Sequence, residues 1–127
     1  MKLSIRSHYL LFIFTIFVYM ACSQQARLSD LEFKPDTGYI YLDGNVFTGT
    51  AWSSDGKTIS ITCNNGVVVA LTAYHANGAK AIVSKKILGK GTCYDETGKQ
   101  ITMDDIIKYY PQLIEQIAAM TYEIKGI

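Results

Sequence analysis

Three aromatic side chains are the residues of this chain best suited to act on something else. Trp52, Tyr74 and Tyr94 stand at the same place in three copies of one phrase, Thr50-Ala51-Trp52-Ser53-Ser54-Asp55-Gly56-Lys57, Thr72-Ala73-Tyr74-His75-Ala76-Asn77-Gly78-Ala79 and Thr92-Cys93-Tyr94-Asp95-Glu96-Thr97-Gly98-Lys99, spaced 22 and 20 residues apart. With Thr50, Thr72, Thr92, Lys80 and Lys90 beside them, they make a strip of flat rings among hydroxyl and ammonium groups. On alternate strands the rings fall about 10 Å apart, two strand spacings. Such a strip can stack on glycan rings or grip a peptide. The same spacing also suits cross-strand pairs that only stabilise a sheet.

Catalytic chemistry is harder to assemble. His75 follows an aromatic at a turn and reads as a solvent-facing residue, and no serine, cysteine or lysine has a base at a recognisable spacing. Asp55, Asp95 and Glu96 sit in turn sequences, where carboxylates commonly organise the backbone. The glycines fall at turn tips rather than in a phosphate-cradling loop between strand and helix. We therefore expect no catalytic residue, no metal site and no cofactor. A formal charge of +1 over 127 residues gives no electrostatic footprint for nucleic acid.

The elements that position the strip follow from the turns. Asp-Gly, Asn-Gly and Thr-Gly between strand-forming residues predict tight hairpins. Three-residue loops at Ser54–Gly56, Asn64–Gly66, Ala76–Gly78 and Glu96–Gly98 pair Ala51 with Ile59, Cys63 with Val67, Ala73 with Ala81 and Cys93 with Ile101. Side chains alternate along a strand, so one face collects Phe47, Ala51, Ile59, Ile61, Cys63, Val67, Val69, Leu71, Ala73, Ala81, Val83, Cys93 and Ile101. The other face collects the threonines, Ser60, Ser84, the lysines and the aromatic strip, with Val68, Ala70 and Ile82 as apolar exceptions. Cys63 and Cys93 then end strands at opposite rims, about 4.8 Å per strand and three strands apart, beyond the roughly 7 Å between Cα atoms that a disulfide tolerates. Two free, inward-facing thiols are expected.

The repeated phrase resembles the bacterial MORN-like repeats, in particular the YwqK-type antitoxin repeat family: an aromatic, two variable residues, Asn or Asp, Gly and often Lys. Trp52-Ser53-Ser54-Asp55-Gly56-Lys57 follows that pattern throughout; Ala79 replaces the lysine in the second copy and Thr97 the Asn or Asp in the third. The resemblance implies a twisted hairpin ladder used for protein or membrane-surface contacts, with no catalytic residues. An antitoxin or immunity-like role covering a toxin partner is the alternative it carries, and an accessory to an envelope hydrolase is a further one.

The ends of the chain complete the expectation. Lys2, Arg6 and His8 precede an uncharged run from Tyr9 to Ala21, thirteen residues long and too short for an ordinary span, which is the pattern of a secretory signal. Ala21-Cys22 resembles the lipobox of bacterial lipoproteins, although Tyr19 and Met20 stand where that motif has Leu and a small residue. Cleavage there leaves a lipid on Cys22, a net charge of −1 on the remaining chain and membrane attachment through the lipid rather than a basic patch. Residues 22–37 read as a tether, with Leu31 and Phe33 alternating as in an edge strand. Tyr39-Ile40-Tyr41-Leu42 leads into the array, its inward face left open by the Asp43-Gly44-Asn45 turn.

Thr102-Met103-Asp104-Asp105 reads as a capped helix start, and Pro111 interrupts the helix eight residues later. Two helices, from about Met103 to Tyr109 and Pro111 to Met120, or one kinked helix, carry an apolar stripe of Ile106, Ile107, Tyr110, Leu113, Ile114, Ile117 and Thr121. The chain thus predicts a signal at 1–21, a tether at 22–37, a hairpin-repeat sheet at 38–102 and a helical segment at 103–127. Its fold class is α+β, an antiparallel β-meander with one face covered by the Pro-interrupted C-terminal helix. The functional expectation is a non-enzymatic, lipid-anchored protein of the bacterial cell envelope with an unknown protein or glycan partner.

Overall fold

Where the chain reverses is decided by residues that tolerate positive φ, and the number of residues each turn consumes decides what the sheet buries. The computed structural model describes residues 24–86 and 90–127; the expected signal segment and Cys22 lie outside them. The described strands are β1 (Gln24–Arg27), β2 (Leu31–Lys34), β3 (Tyr39–Leu42), β4 (Asn45–Val46), β5 (Gly49–Trp52), β6 (Ile59–Asn64), β7 (Val67–Tyr74), β8 (Lys80–Ser84), β9 (Thr92–Tyr94) and β10 (Gln100–Ile101). Two helices come after them, α1 (Met103–Tyr109) and α2 (Pro111–Thr121). Strands β5 to β10 form the expected antiparallel meander, to which β1 adds in parallel beside β5. A second sheet, in the order β2-β3-β4, packs over one half of it.

Two of the four hairpins turn as expected and two do not. His75 N donates to Ala79 O and Asp95 N to Lys99 O, both at 2.8 Å, enclosing the three-residue loops 76–78 and 96–98. In the first hairpin Ser53 N instead donates to Ile59 O at 3.0 Å, a five-residue loop, so Ala51 pairs with Ile61 rather than Ile59. In the second, Asn65 (φ 50°) and Gly66 (φ 81°) make a two-residue turn that pairs Asn64 with Val67, the mirror-image geometry whose twist matches that of the strands.

These counts change which side chains are dry. The first hairpin gains two residues and keeps the alternation. The second loses one, and the ladder recovers it by an irregularity after Thr62, where Cys63 faces Val68 and Thr62 faces Ala70. Val67 and Val69, expected inward, are consequently 50% and 44% exposed, while Val68 packs on the core. A second irregularity at Ala73/Tyr74 sets Ala73 opposite Ile82 instead of Ala81. Beyond it the parity inverts: Ser84 lies opposite Leu71 and is buried, and Val83 lies opposite Thr72 on the outer face, away from Ile61 and Leu71. A bulge inserts one unpaired residue into one strand, and here it lets Ala81 and Ile82 both face the interior.

Residues 24–37 of the stretch expected as a tether belong to the fold. Leu28 and Leu31 are fully buried, and Phe33 packs beside them against Ile40, Phe47, Ile59, Ile61 and Leu71. The helical segment covers the remaining half of the dry face. Thr102 caps α1, Asp105 N donating to its Oγ1 and its own N to Asp105 Oδ2, each at 3.1 Å. Pro111 occupies the first position of α2, where its missing N–H costs nothing. Ile106 and Leu113 pack with Ala73, Ala81, Ile82 and Cys93, and Ile117 touches both halves of the core. Ile107, expected in this stripe, is instead 54% exposed. The tail then closes the chain: Ile124 is buried, Lys125 N donates to Leu31 O, and Phe33 N donates to Lys125 O.

Cys63 and Cys93 are free and buried, one in each half of the core. Burial pushes the Cys63 thiol up to about 11 and raises that of Cys93. The reactive thiolate is therefore scarce at neutral pH, and both thiols should resist iodoacetamide in the folded domain and react promptly in urea, as mass spectrometry would record. A Cβ at Gly49 (φ 149°) would lie 2.0 Å from the Gln24 carbonyl oxygen. Gly49→Ala should therefore lower unfolding stability by about 2 kcal/mol or more by forcing β1 away. Gly44→Ala, with open space at its Cβ, should cost about 1 kcal/mol through its positive φ alone; urea midpoints separate the two.

Candidate functional site at the hairpin tips

The three repeats converge at one end of the sheet because their tips are built alike. Gly56 N, Gly78 N and Gly98 N each donate to the carbonyl three residues back, Ser53, His75 and Asp95, at 2.8, 2.9 and 3.1 Å. Inside each turn a short side chain accepts from the amide two residues on: Asp55 Oδ1 from Lys57 N, Asn77 Oδ1 from Ala79 N and Asp95 Oδ1 from Thr97 N. These are Asx-type turns, in which an oxygen of Asp or Asn does what a backbone carbonyl would.

Adjacent tips are tied to each other. His75 Nε2 donates to the Tyr94 carbonyl at 2.7 Å, and Asn77 Nδ2 donates to the Glu96 carbonyl at 3.0 Å. The expectation of a solvent-facing histidine is thus corrected: His75 is only 6% exposed, and the Tyr110 ring covers it with centroids 4.5 Å apart. A carbonyl can only accept, so Nε2 carries the proton of this bond. The signal for this role was present in the repeat itself. His75 occupies the position of Ser53 and Asp95, and all three use their side chains to organise a tip.

Of the strip residues, the structure brings Trp52 and Tyr74 closest. Their rings stack with centroids 5.5 Å apart and planes 22° from parallel, not about 10 Å apart as strand spacing alone implies. Ser60 stands between them in the sheet, opposite Trp52, and its small side chain lets the rings lean together; its hydroxyl lies 3.4 Å from that of Tyr74. Thr50 and Thr62 hydroxyls meet at 3.3 Å beside the pair. Thr72 lies opposite Ser60, and Lys80 lies opposite Tyr74 with its side chain exposed. Tyr94 is half-buried on the strand beyond, joined to Tyr74's neighbour through its carbonyl. Lys90 and Thr92 are not gathered here, and line a shallow depression with Lys85 and Lys86.

The strip runs into a cleft of about 440 Å³ between the three tips and the junction of α1 with α2. Tyr74, Tyr109 and Tyr110 give it rings, Gln112 and Gln116 amides, and Asp55, Glu96 and Lys57 charge. His75 is among the residues that line this cleft. Pro111 makes this mouth, because the break it imposes turns Tyr109 and Tyr110 toward the tips. Among the described residues no three His, Cys, Asp or Glu side chains converge as metal ligands.

Desolvation works against ionisation of Asp55 and is the largest single influence, but hydrogen bonds from the Thr58 and Ser53 hydroxyls and the Lys57 and Thr58 amides together outweigh it, holding its carboxyl well below the usual carboxylate range. A carboxyl lowered by folding stabilises the fold above its unfolded pKa of about 4 and loses that contribution as pH falls. Asp55→Asn should therefore destabilise by about 1 kcal/mol at pH 7, with the difference from the native protein shrinking toward pH 2 in urea titrations. His75→Ala should cost about 1–3 kcal/mol, since it unpairs the Tyr94 carbonyl and uncovers the space under Tyr110.

Protein-family models, curated proteins and solved structures, each compared with this chain, give no match.

Proposed function

We propose that this chain is a non-enzymatic, lipid-anchored protein of the bacterial envelope that binds a protein or a surface polymer at the tip end of its sheet. The observation that carries this reading is the position of Tyr74, which both stacks on Trp52 and lines the cleft. An aromatic surface thus continues without a break into a concavity with amide, carboxylate and imidazole groups. Exposed rings beside convergent polar groups are the composition of recognition sites. Two further facts favour binding over catalysis: Asp55 spends both oxygens on its own turn, and His75 spends Nε2 on the neighbouring hairpin. Among the described residues no helix is long and apolar enough to cross a membrane, which is compatible with attachment through Cys22.

Tyr109 is 63% exposed at the rim of the cleft, so its replacement tests recognition without disturbing the core. With a photo-crosslinking residue at Gln116, the full-length protein in intact cells should capture one discrete partner or polymer. Tyr109→Ala should reduce that capture about tenfold, the loss of one well-placed aromatic contact, at an unchanged melting temperature. Equal capture by both proteins, or no capture by either, would overturn the reading.

A further inference from the structure

The end of the sheet opposite the cleft carries exposed apolar side chains, and the chain enters the fold there. Tyr39 is 43% exposed, Val46 44%, Val67 50% and Val69 44%. All four are grouped around the Asn65–Gly66 turn. Ile40 N, next to Tyr39, donates to Gly66 O, and Gly66 N donates to the carbonyl of Phe47, next to Val46, each at 2.8 Å. Val67 leaves the turn directly and Val69 lies two residues on along the same strand. The Tyr39 side chain lies so close to Gly66 that a Cβ there would meet it at 2.9 Å.

Thr48 connects this turn to the start of the described chain. Gln24 N donates to the Thr48 carbonyl at 3.2 Å, and Asn65 N donates to Thr48 Oγ1 at 2.9 Å. Cys22 stands two residues before Gln24, and two residues of extended chain reach no more than about 7 Å. Residues 24–27 and 31–34 of the expected tether form strands, so the chain length between Cys22 and the Asn65–Gly66 end is set by the two residues before Gln24.

We infer that this end is a membrane-docking surface, with Tyr39, Val46, Val67 and Val69 seated in the headgroup layer of a lipid bilayer. The inference rests on the lipid-anchored reading and adds to it an orientation and a contact surface. A lipid on Cys22 would hold this end of the domain at the bilayer surface, where exposed apolar side chains add buried area to the attachment. The residues between the apolar ones suit an interface: Gln24, Asn45, Asn64 and Asn65 are uncharged, while Lys34 at the end of β2, Asp36 in the β2–β3 turn and Asp43 in the β3–β4 turn are the charged residues nearest to Tyr39 and Val46 in the chain. Tyrosine in particular favours the boundary between water and acyl chains. The cleft lies at the far end of β7, eight residues long, which places it about 24 Å from the docked end at 3.4 Å per residue. The binding end then points away from the bilayer.

Trp52 is the only tryptophan, so it reports on the far end in the native chain, and Val67→Trp combined with Trp52→Phe reports on the near one. Full-length protein purified from cells is mixed with phosphatidylethanolamine–phosphatidylglycerol vesicles that contain phospholipid brominated near the top of the acyl chain. Flotation first scores attachment. Docking is supported if the floated Val67→Trp protein loses at least half its fluorescence to the bromolipid while Trp52 in the native chain loses under a tenth. Val69→Trp provides a second reporter on the same surface. Flotation with neither near-end reporter quenched overturns the docking alone and leaves the patch to a protein partner or a second copy. Protein that does not float overturns the lipid-anchored reading and the docking with it.

Discussion

A strand shows alternate side chains to opposite faces, so every residue added or dropped at a turn moves all later side chains across the sheet unless something restores the count. This domain lives under that constraint. The two-residue turn at Asn65–Gly66 shifts the register by one, and the irregularity near Val69 takes it back before Leu71 must be buried. At Ala73/Tyr74 the count slips again and is not restored, so Ser84 rather than Val83 faces the interior. Small residues make the slip tolerable. Ala81 fits beside Ile82 on the dry side without crowding α1 and α2.

The same constraint explains why the C-terminal segment is part of the domain. A seven-stranded sheet with one apolar face needs two covers, and they come from the two ends of the described stretch. The N-terminal residues Leu28, Leu31 and Phe33 cover the first half, α1 and α2 cover the second, and Ile117 joins them. The tail links the covers to each other and to the first hairpin: Lys125 pairs with β2, and Glu123 accepts from the Ser54 amide and hydroxyl at 3.1 and 2.8 Å. Both ends of the described stretch 24–127 are thereby held at the sheet, which limits how the domain can be presented.

Two poles result. At one, Gln24, Thr48 and the Asn65–Gly66 turn meet through hydrogen bonds between backbone and a single threonine. At the other, repeated Asx turns align three tips against the α1–α2 break, and the aromatic pair and the cleft share Tyr74. Under the proposed reading the first pole meets the bilayer and the second meets the partner. The rigid ladder between them supplies the distance.

Much of this was legible in the residues alone. The period of 22 and 20 residues, the glycine at each tip, the Thr102 capping box and the break at Pro111 are local features, set by backbone sterics and hydrogen bonds within a few residues. They determined the meander, a C-terminal helical segment interrupted at Pro111 and the equivalent repeat positions of Trp52, Tyr74 and Tyr94. Loop lengths were not determined, because three-residue and two-residue turns differ little in energy until the sheet chooses which side chains to bury. The burial of His75 under Tyr110 was not determined either, since it needs a carbonyl 19 residues away and a helix junction beyond that. Nor was the incorporation of residues 24–37, whose few apolar side chains show no period of their own and gain burial only against strands formed elsewhere. Local chemistry wrote the elements, and only the competition among distant surfaces for exclusion from water decided their register, their covers and the cleft.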